Sequence, residues 1–278
     1  MFRLLAYPRA STLVRVCLIV ILASLPLALV VKARKNAQAP AEPEAPASVQ
    51  VSESSPLPDF DAITDIDLKK ETFFGFFQHY IEAENARILV RRESLLNFSD
   101  ILADGGDLSA LEMATLNEIK AQYRMQDSDL PLPELLDELL VRVDVIPVSL
   151  ALAQAANESA WGTSRFAREG NNIFGQWCFD EGCGLIPGQR AQDASHEVRA
   201  FASVEASVRA YFRNLNTNPT YEYLRELRAQ MRMKGKPLDS RALAQGLLRY
   251  SERGHVYISE LHDIIRVNDL LALDGQNS

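Results

Sequence analysis

The chain has 278 residues, 47% of them hydrophobic and 24% charged, enough for one or two globular domains and unlike a fibre or a disordered tail. Six basic residues and no acidic one fall in the first 35 positions, which leaves 23 basic against 37 acidic residues in the remainder, a body near −14. Such a body repels phosphate backbones, so nucleic acid is excluded as an expected partner.

Residues 16–31 run without a charge between Arg15 and Lys32, the pattern of an export signal or a short membrane anchor. The small-x-small site Ala37-Gln38-Ala39 sits behind Lys32, Arg34 and Lys35, away from the apolar stretch, so anchoring is expected over cleavage. Residues 36–58 hold five prolines and few large apolar side chains and read as an extended linker. The expected location is exported and periplasmic, tethered to the inner membrane by residues 16–31. Cys17 lies in the apolar segment, and Cys178 and Cys183 are close enough to bridge a small loop, as an oxidising compartment allows. Two buried thiols are the alternative. No second ligand pair supports zinc, His79, His255 and His262 lack metal-ligand spacing, and neither a metal nor a cofactor is expected.

In residues 64–98 apolar side chains recur at helical spacing, predicting one long helix broken by Asp104-Gly105-Gly106-Asp107. Further helices are expected over residues 109–123 and 134–142, as packing layers without chemistry. Pro147 opens the next at its favoured first position, and residues 148–156 are nearly all apolar, so this helix should lie buried, with Gly162 as its left-handed stop. Residues 174–201 are rich in Gly and turn formers and predict loops with a small strand or two. Helices resume after Ser203 and continue over residues 221–233, 240–250 and 256–273. The fold class is mostly α with a small β/loop insert, and the expected divisions are a membrane segment (1–35), a linker (36–58), an N-terminal helical region (59–143) and a second helical domain (144–273).

A carboxylate at the end of a buried helix needs a reason. Helical spacing puts Ala151, Gln154, Glu158 and Trp161 on one face, with an amide before the carboxylate and an indole after it. A partly apolar site and the negative end of the helix both disfavour the ionised form, which suits a general acid that protonates a glycosidic oxygen. The alternative is a surface ion pair with Arg165 or Arg168. No Gly-x-Ser-x-Gly elbow, phosphate loop or cysteine–histidine nucleophile pattern is present.

Leu152-Ala153-Gln154-Ala155-Ala156-Asn157-Glu158-Ser159-Ala160-Trp161-Gly162-Thr163-Ser164, followed by Asn171-Asn172-Ile173-Phe174-Gly175, resembles the signature of the bacterial glucosaminidase family of peptidoglycan hydrolases. The likeness extends over about residues 66–270 and includes Glu82-Ala83-Glu84-Asn85 and Gly175-Gln176-Trp177-Cys178. It implies a lysozyme-like helical domain that cleaves the bond after N-acetylglucosamine in peptidoglycan. By the same likeness Glu158 is the general acid, Gln154, Trp161, Ser164, Asn172 and Phe174 shape the cleft, Trp177 is a platform for a sugar ring, and Tyr250 takes the place of a tyrosine near the acid. The family's usual Thr-x-Glu-Tyr strand is missing. Glu197 is the foremost candidate for a second carboxylate, with Asp180, Glu181 and Asp193 behind it; failing these, the 2-acetamido group of the substrate would be the nucleophile. A disulfide between Cys178 and Cys183 would stiffen the cleft wall. The rival readings are a lytic transglycosylase on the same fold, a non-catalytic peptidoglycan-binding scaffold, and an endoglycosidase for N-linked glycoproteins.

Overall fold

The computed structural model describes residues 56–188 and 196–276. The expected membrane segment and nearly all of the linker lie outside them; among the described residues no helix is long and apolar enough to cross a membrane. Helix α1 (Ile66–Ala103) is about 57 Å long at 1.5 Å per residue. It begins where the Asp65 side chain accepts from the Leu68 N–H and ends at Asp104 and Gly105, the latter at φ +78°. Phe73, Phe77, Ile81, Ile88 and Leu95 form its buried stripe. Helix α2 (Ala110–Gln122) is opened by a capping box between Ser109 and Glu112, and α3 (Leu132–Arg142) follows Pro131.

Helix α4 (Val148–Ser159) is the centre of the structure, buried at every position from Val148 to Ala156. It packs against α1, against the short α8 (Ser240–Ala244) and against α9 (His255–Val267). Pro147 stands just before the first helical residue and has no side-chain oxygen to cap it. Asp274, in the 3₁₀ turn Leu270–Gln276 at the far end of the chain, fills that role. Its carboxylate accepts from the Ser149 backbone N–H (2.9 Å), the Ser149 hydroxyl (2.6 Å) and the Ser240 hydroxyl, a negative charge set against the positive end of the helix.

The stop of α4 is sharper than one glycine provides. Ala160, Trp161 and Gly162 all take left-handed backbone conformations, at φ +50°, +57° and +78°. Two of these are non-glycine residues, which adopt that region at a cost of about 1 kcal/mol or more each. At Gly162 a β-carbon would stand 2.3 Å from the Phe60 ring, itself fully buried against Phe73 and Phe77. The helix therefore ends before Trp161, and the expectation that its indole continues the face of Glu158 is corrected: the chain has turned, and Trp161 packs on Phe73 and Phe74 of α1.

Beyond α5 (Arg165–Gly170) a three-stranded antiparallel sheet has the order β1 (Trp177–Cys178), β3 (Glu197–Arg199), β2 (Gly184–Leu185), with Cys178 opposite Glu197 and Gly184 opposite Arg199. A β-carbon on Gly184 would lie 2.0 Å from the Val198 carbonyl oxygen, so only glycine lets β2 approach β3. Helices α6 (Val204–Thr217) and α7 (Glu222–Met233) close the bundle.

The strongest polar link spans the expected division near residue 143. Asp144, 1% exposed, receives two hydrogen bonds from the Arg232 guanidinium (2.9 and 3.0 Å). Arg228, equally buried, donates to the carbonyls of Val141, Asp144 and Val145 and to Asn216. Burial pushes the Asp144 carboxyl up, but Arg228, Arg232 and Arg92 together hold it below the ordinary aspartate value. A depressed carboxyl contributes stability at neutral pH that is lost as pH falls. Asp144→Ala, which strands buried guanidinium charge, is expected to cost about 3–5 kcal/mol in urea unfolding at pH 7, and the deficit should narrow below about pH 4, the ordinary range of a free aspartate.

Candidate active site

The last turn of α4 presents Glu158 at the edge of the core. Its Oε1 is buried and accepts from no protein donor. Burial pushes its carboxyl above the ordinary glutamate value; the Tyr257 hydroxyl and the charge of Arg253 pull it partway back, while Glu260 raises it. Arg253 and Glu260 are themselves ion-paired, so their effects on the site largely offset each other.

Behind the carboxyl runs a hydrogen-bond chain. The Tyr211 hydroxyl donates to Gln154 Oε1 (2.6 Å), and Gln154 Nε2 donates to the Tyr257 hydroxyl oxygen (2.9 Å). With its oxygen engaged by Gln154, Tyr257 turns its own proton to Glu158. Burial holds both phenols well above their ordinary pKa, so they remain donors throughout the neutral range. Gln154 is thus fully buried with both ends of its amide engaged, an orienting group between two tyrosines.

On the other side lies the loop after α5. Asn172, buried, donates to the carbonyls of Gln176 and Arg199 (both 2.8 Å) and accepts from the Gln176 N–H (3.0 Å). Phe174 stacks on Tyr211 with ring centroids 3.9 Å apart. Between them Gly175, at φ +62°, comes so close to the acid that a β-carbon would stand 3.2 Å from Glu158 Oε2. Tyr250 stacks on Tyr257, and its hydroxyl donates to the Phe174 carbonyl (2.7 Å). The phenol that bonds the acid is therefore Tyr257, seven residues further on, and Tyr250 secures the glycine loop.

The other expected residues fall around this centre. Ser164 caps α5, accepting from the Ala167 N–H. Trp177, 56% exposed, stacks on His196 at 4.3 Å. Cys178 and Cys183 are joined in a disulfide. Glu197 is buried beside that bridge, and its two oxygens accept from the Gly182 and Gly184 N–H groups (3.1 and 2.7 Å). The two cysteines and Glu197 lie close enough to suggest a metal site, but sulfurs committed to a disulfide offer no thiolate ligands. Asp180 and Glu181 are exposed on the disulfide loop, and Asp193 lies outside the described residues. Tyr211, Gly175 and Tyr257 were not singled out from sequence. The tyrosines sit at ordinary core spacing, and Gly175 is the last residue of the signature.

The expected outcome of Tyr257→Phe follows from the chain. Loss of the donor should raise the Glu158 pKa further, read by carboxyl-carbon NMR titration, and leave Gln154 Nε2 without an acceptor at a cost of about 1–3 kcal/mol in urea unfolding.

Compared with known proteins, residues 134–270 match the family model described as Glucosaminidase, mannosyl-glycoprotein endo-beta-N-acetylglucosaminidase. The chain is 34% identical over 220 residues to Protein bax of Escherichia coli (strain K12), covering 79% of this chain and 77% of that protein. It is also similar to the catalytic domain of the autolysin Auto of Listeria monocytogenes, at 19% identity and a TM-score of 0.37, over 64% of this chain and 96% of that one.

Proposed function

The chain belongs to the glucosaminidase family of peptidoglycan hydrolases, and from that premise we propose that it hydrolyses the glycosidic bond after N-acetylglucosamine in peptidoglycan with Glu158 as general acid. The observation that carries this reading is the half-buried Glu158 carboxyl, raised in pKa, steadied by a phenol and left with one oxygen unpartnered. A carboxylic acid still protonated near working pH can give its proton to the leaving oxygen.

Glu197 is assigned a structural part, because both of its oxygens are spent on the backbone of the disulfide loop. Glu260, which influences Glu158, is bound up with Arg253 and Asn157. These commitments favour a mechanism with one protein acid, in which the 2-acetamido group of the substrate is the nucleophile. The Glu158 proton passes to the glycosidic oxygen, the C1–O bond breaks with its electron pair leaving on that oxygen, and the acetamido oxygen bonds to C1 to give an oxazolinium ring. Water then attacks C1, the carboxylate takes its proton, and the ring opens with overall retention. Ser164, Asn172 and Phe174 support the cleft through the loop geometry, and Trp177 offers its open face to a sugar. The uncharged run of residues 16–31 between Arg15 and Lys32 is the support for a periplasmic working site with that segment as its tether.

The test is digestion of purified sacculi by the full-length chain, wild type beside Glu158→Gln, with products identified by mass spectrometry. Wild type should release muropeptides with reducing N-acetylglucosamine ends, and the variant should be slower by about 10²–10⁴-fold. Anhydro-sugar ends would replace hydrolysis by transglycosylation, and binding without release would leave a scaffold. Folding is checked by the sign of the stability change. A carboxyl whose folded pKa is raised costs stability once pH climbs past its unfolded value, so Glu158→Gln should melt no lower than wild type at pH 8, with the difference shrinking toward pH 4.

A further inference from the structure

Although the body of the chain is strongly acidic, one of its faces gathers arginine. Two cavities of about 420 and 410 Å³ adjoin at Arg209 and Arg213 of α6. Arg87 and Arg91 of α1 line the first; Arg124, after α2, and Arg199 of β3 line the second. Arg87 and Arg209 are neutralised by Glu84 and Glu205, at 2.7 and 2.8 Å from the latter. Arg91, Arg124, Arg199 and Arg213 pair with no carboxylate among the described residues. Four guanidiniums outside any ion pair among the described residues, of which Arg91 alone feels the charge of Glu84, leave the adjoining hollows positively lined, suited to an anion by charge and by shape because each fork matches a carboxylate.

One wall of the second cavity continues the chain of the glycine loop. Gly175 abuts Glu158, and the next two residues, Gln176 and Trp177, form part of the wall of the second cavity. Gln176 is fixed there by its bond to the Ser207 carbonyl (3.1 Å), and the exposed Trp177 ring gives the same wall an apolar face. A uniformly anionic polymer would be repelled by the surrounding surface. A ligand that joins neutral sugar to a few carboxylates would meet the tryptophan with one part and the arginines with the other.

We propose that this groove binds the free carboxylates of the peptide stems that peptidoglycan strands carry, and so makes the enzyme prefer peptide-bearing glycan. The identity of the ligand rests on the reading above of the Glu158 site; the binding of carboxylates rests on the arginines alone.

The experiment titrates the full-length chain with a synthetic stem tripeptide bearing free carboxylates and with its carboxamide twin, for wild type and for Arg91→Gln/Arg213→Gln. The free acid should bind wild type at least ten-fold more tightly than the carboxamide, with a preference that weakens with salt and disappears in the double variant. The variant should retain wild-type turnover on peptide-free N-acetylglucosamine oligomers while its KM on sacculi rises several-fold. Equal binding of the two peptides, or a preference untouched by the double substitution, would overturn the proposal. Tighter binding of poly-glutamate than of the tripeptide would overturn it in favour of an acidic protein partner. Failure of the catalytic reading shows separately, as wild type that releases nothing from sacculi, and the peptide titration still decides the fate of the groove.

Discussion

A carboxyl group held at the rim of a fully buried helix is the constraint from which the rest of the structure follows. Leaving Glu158 without solvent on one side disfavours its charge, and the surroundings must tolerate that without neutralising it through an ion pair, which would drive the proton off. The chain answers with neutral donors. Tyr211, Gln154 and Tyr257 form a line in which each hydroxyl or amide has a fixed direction, and the acid receives a hydrogen bond from a phenol that stays protonated. The same need accounts for Gly175 and for the buried Asn172 that shapes its loop, since any side chain at Gly175 would crowd the carboxyl.

What the sequence made legible was local. The apolar run from Val148 to Ala156 announced a buried helix, and a carboxylate directly behind it announced an unusual environment. The spacing of Cys178 and Cys183 and the cap at Ser203 were equally readable. What local pattern did not convey has a common origin. Trp161 was placed on the face of Glu158 because periodicity carries a helix forward unless a glycine or proline intervenes, whereas here an alanine takes the first left-handed position. Tyr250 and Tyr257 both lie near the acid, and their division of labour depends on how α9 is rotated against α4, which no local pattern encodes. Asp144 carries no local signal, and only the return of α7 brings it the two arginines that make it structural.

The β insert shows how little sheet suffices when its anchors are strong. Its strands are two or three residues long, too short to stand alone. A disulfide, the buried Glu197 carboxylate and the close approach at Gly184 stand in for length. Asn172 then ties the insert to the glycine loop by bonding the carbonyl of Arg199. The wall carrying Trp177 is thereby registered to the Glu158 carboxyl through covalent and hydrogen-bonded links.

The contact of Asp274 with the first turn of α4 joins residues 125 positions apart. A ribosome delivers α4 long before it delivers this carboxylate, so Ser149 and Ser240 meet Asp274 late. The first turn of α4 therefore gains its cap only after the intervening residues have been made. Docking of the 3₁₀ turn onto α4 is thus a late step of folding, and the helix start goes without its cap, worth about 1 kcal/mol, until that step is made.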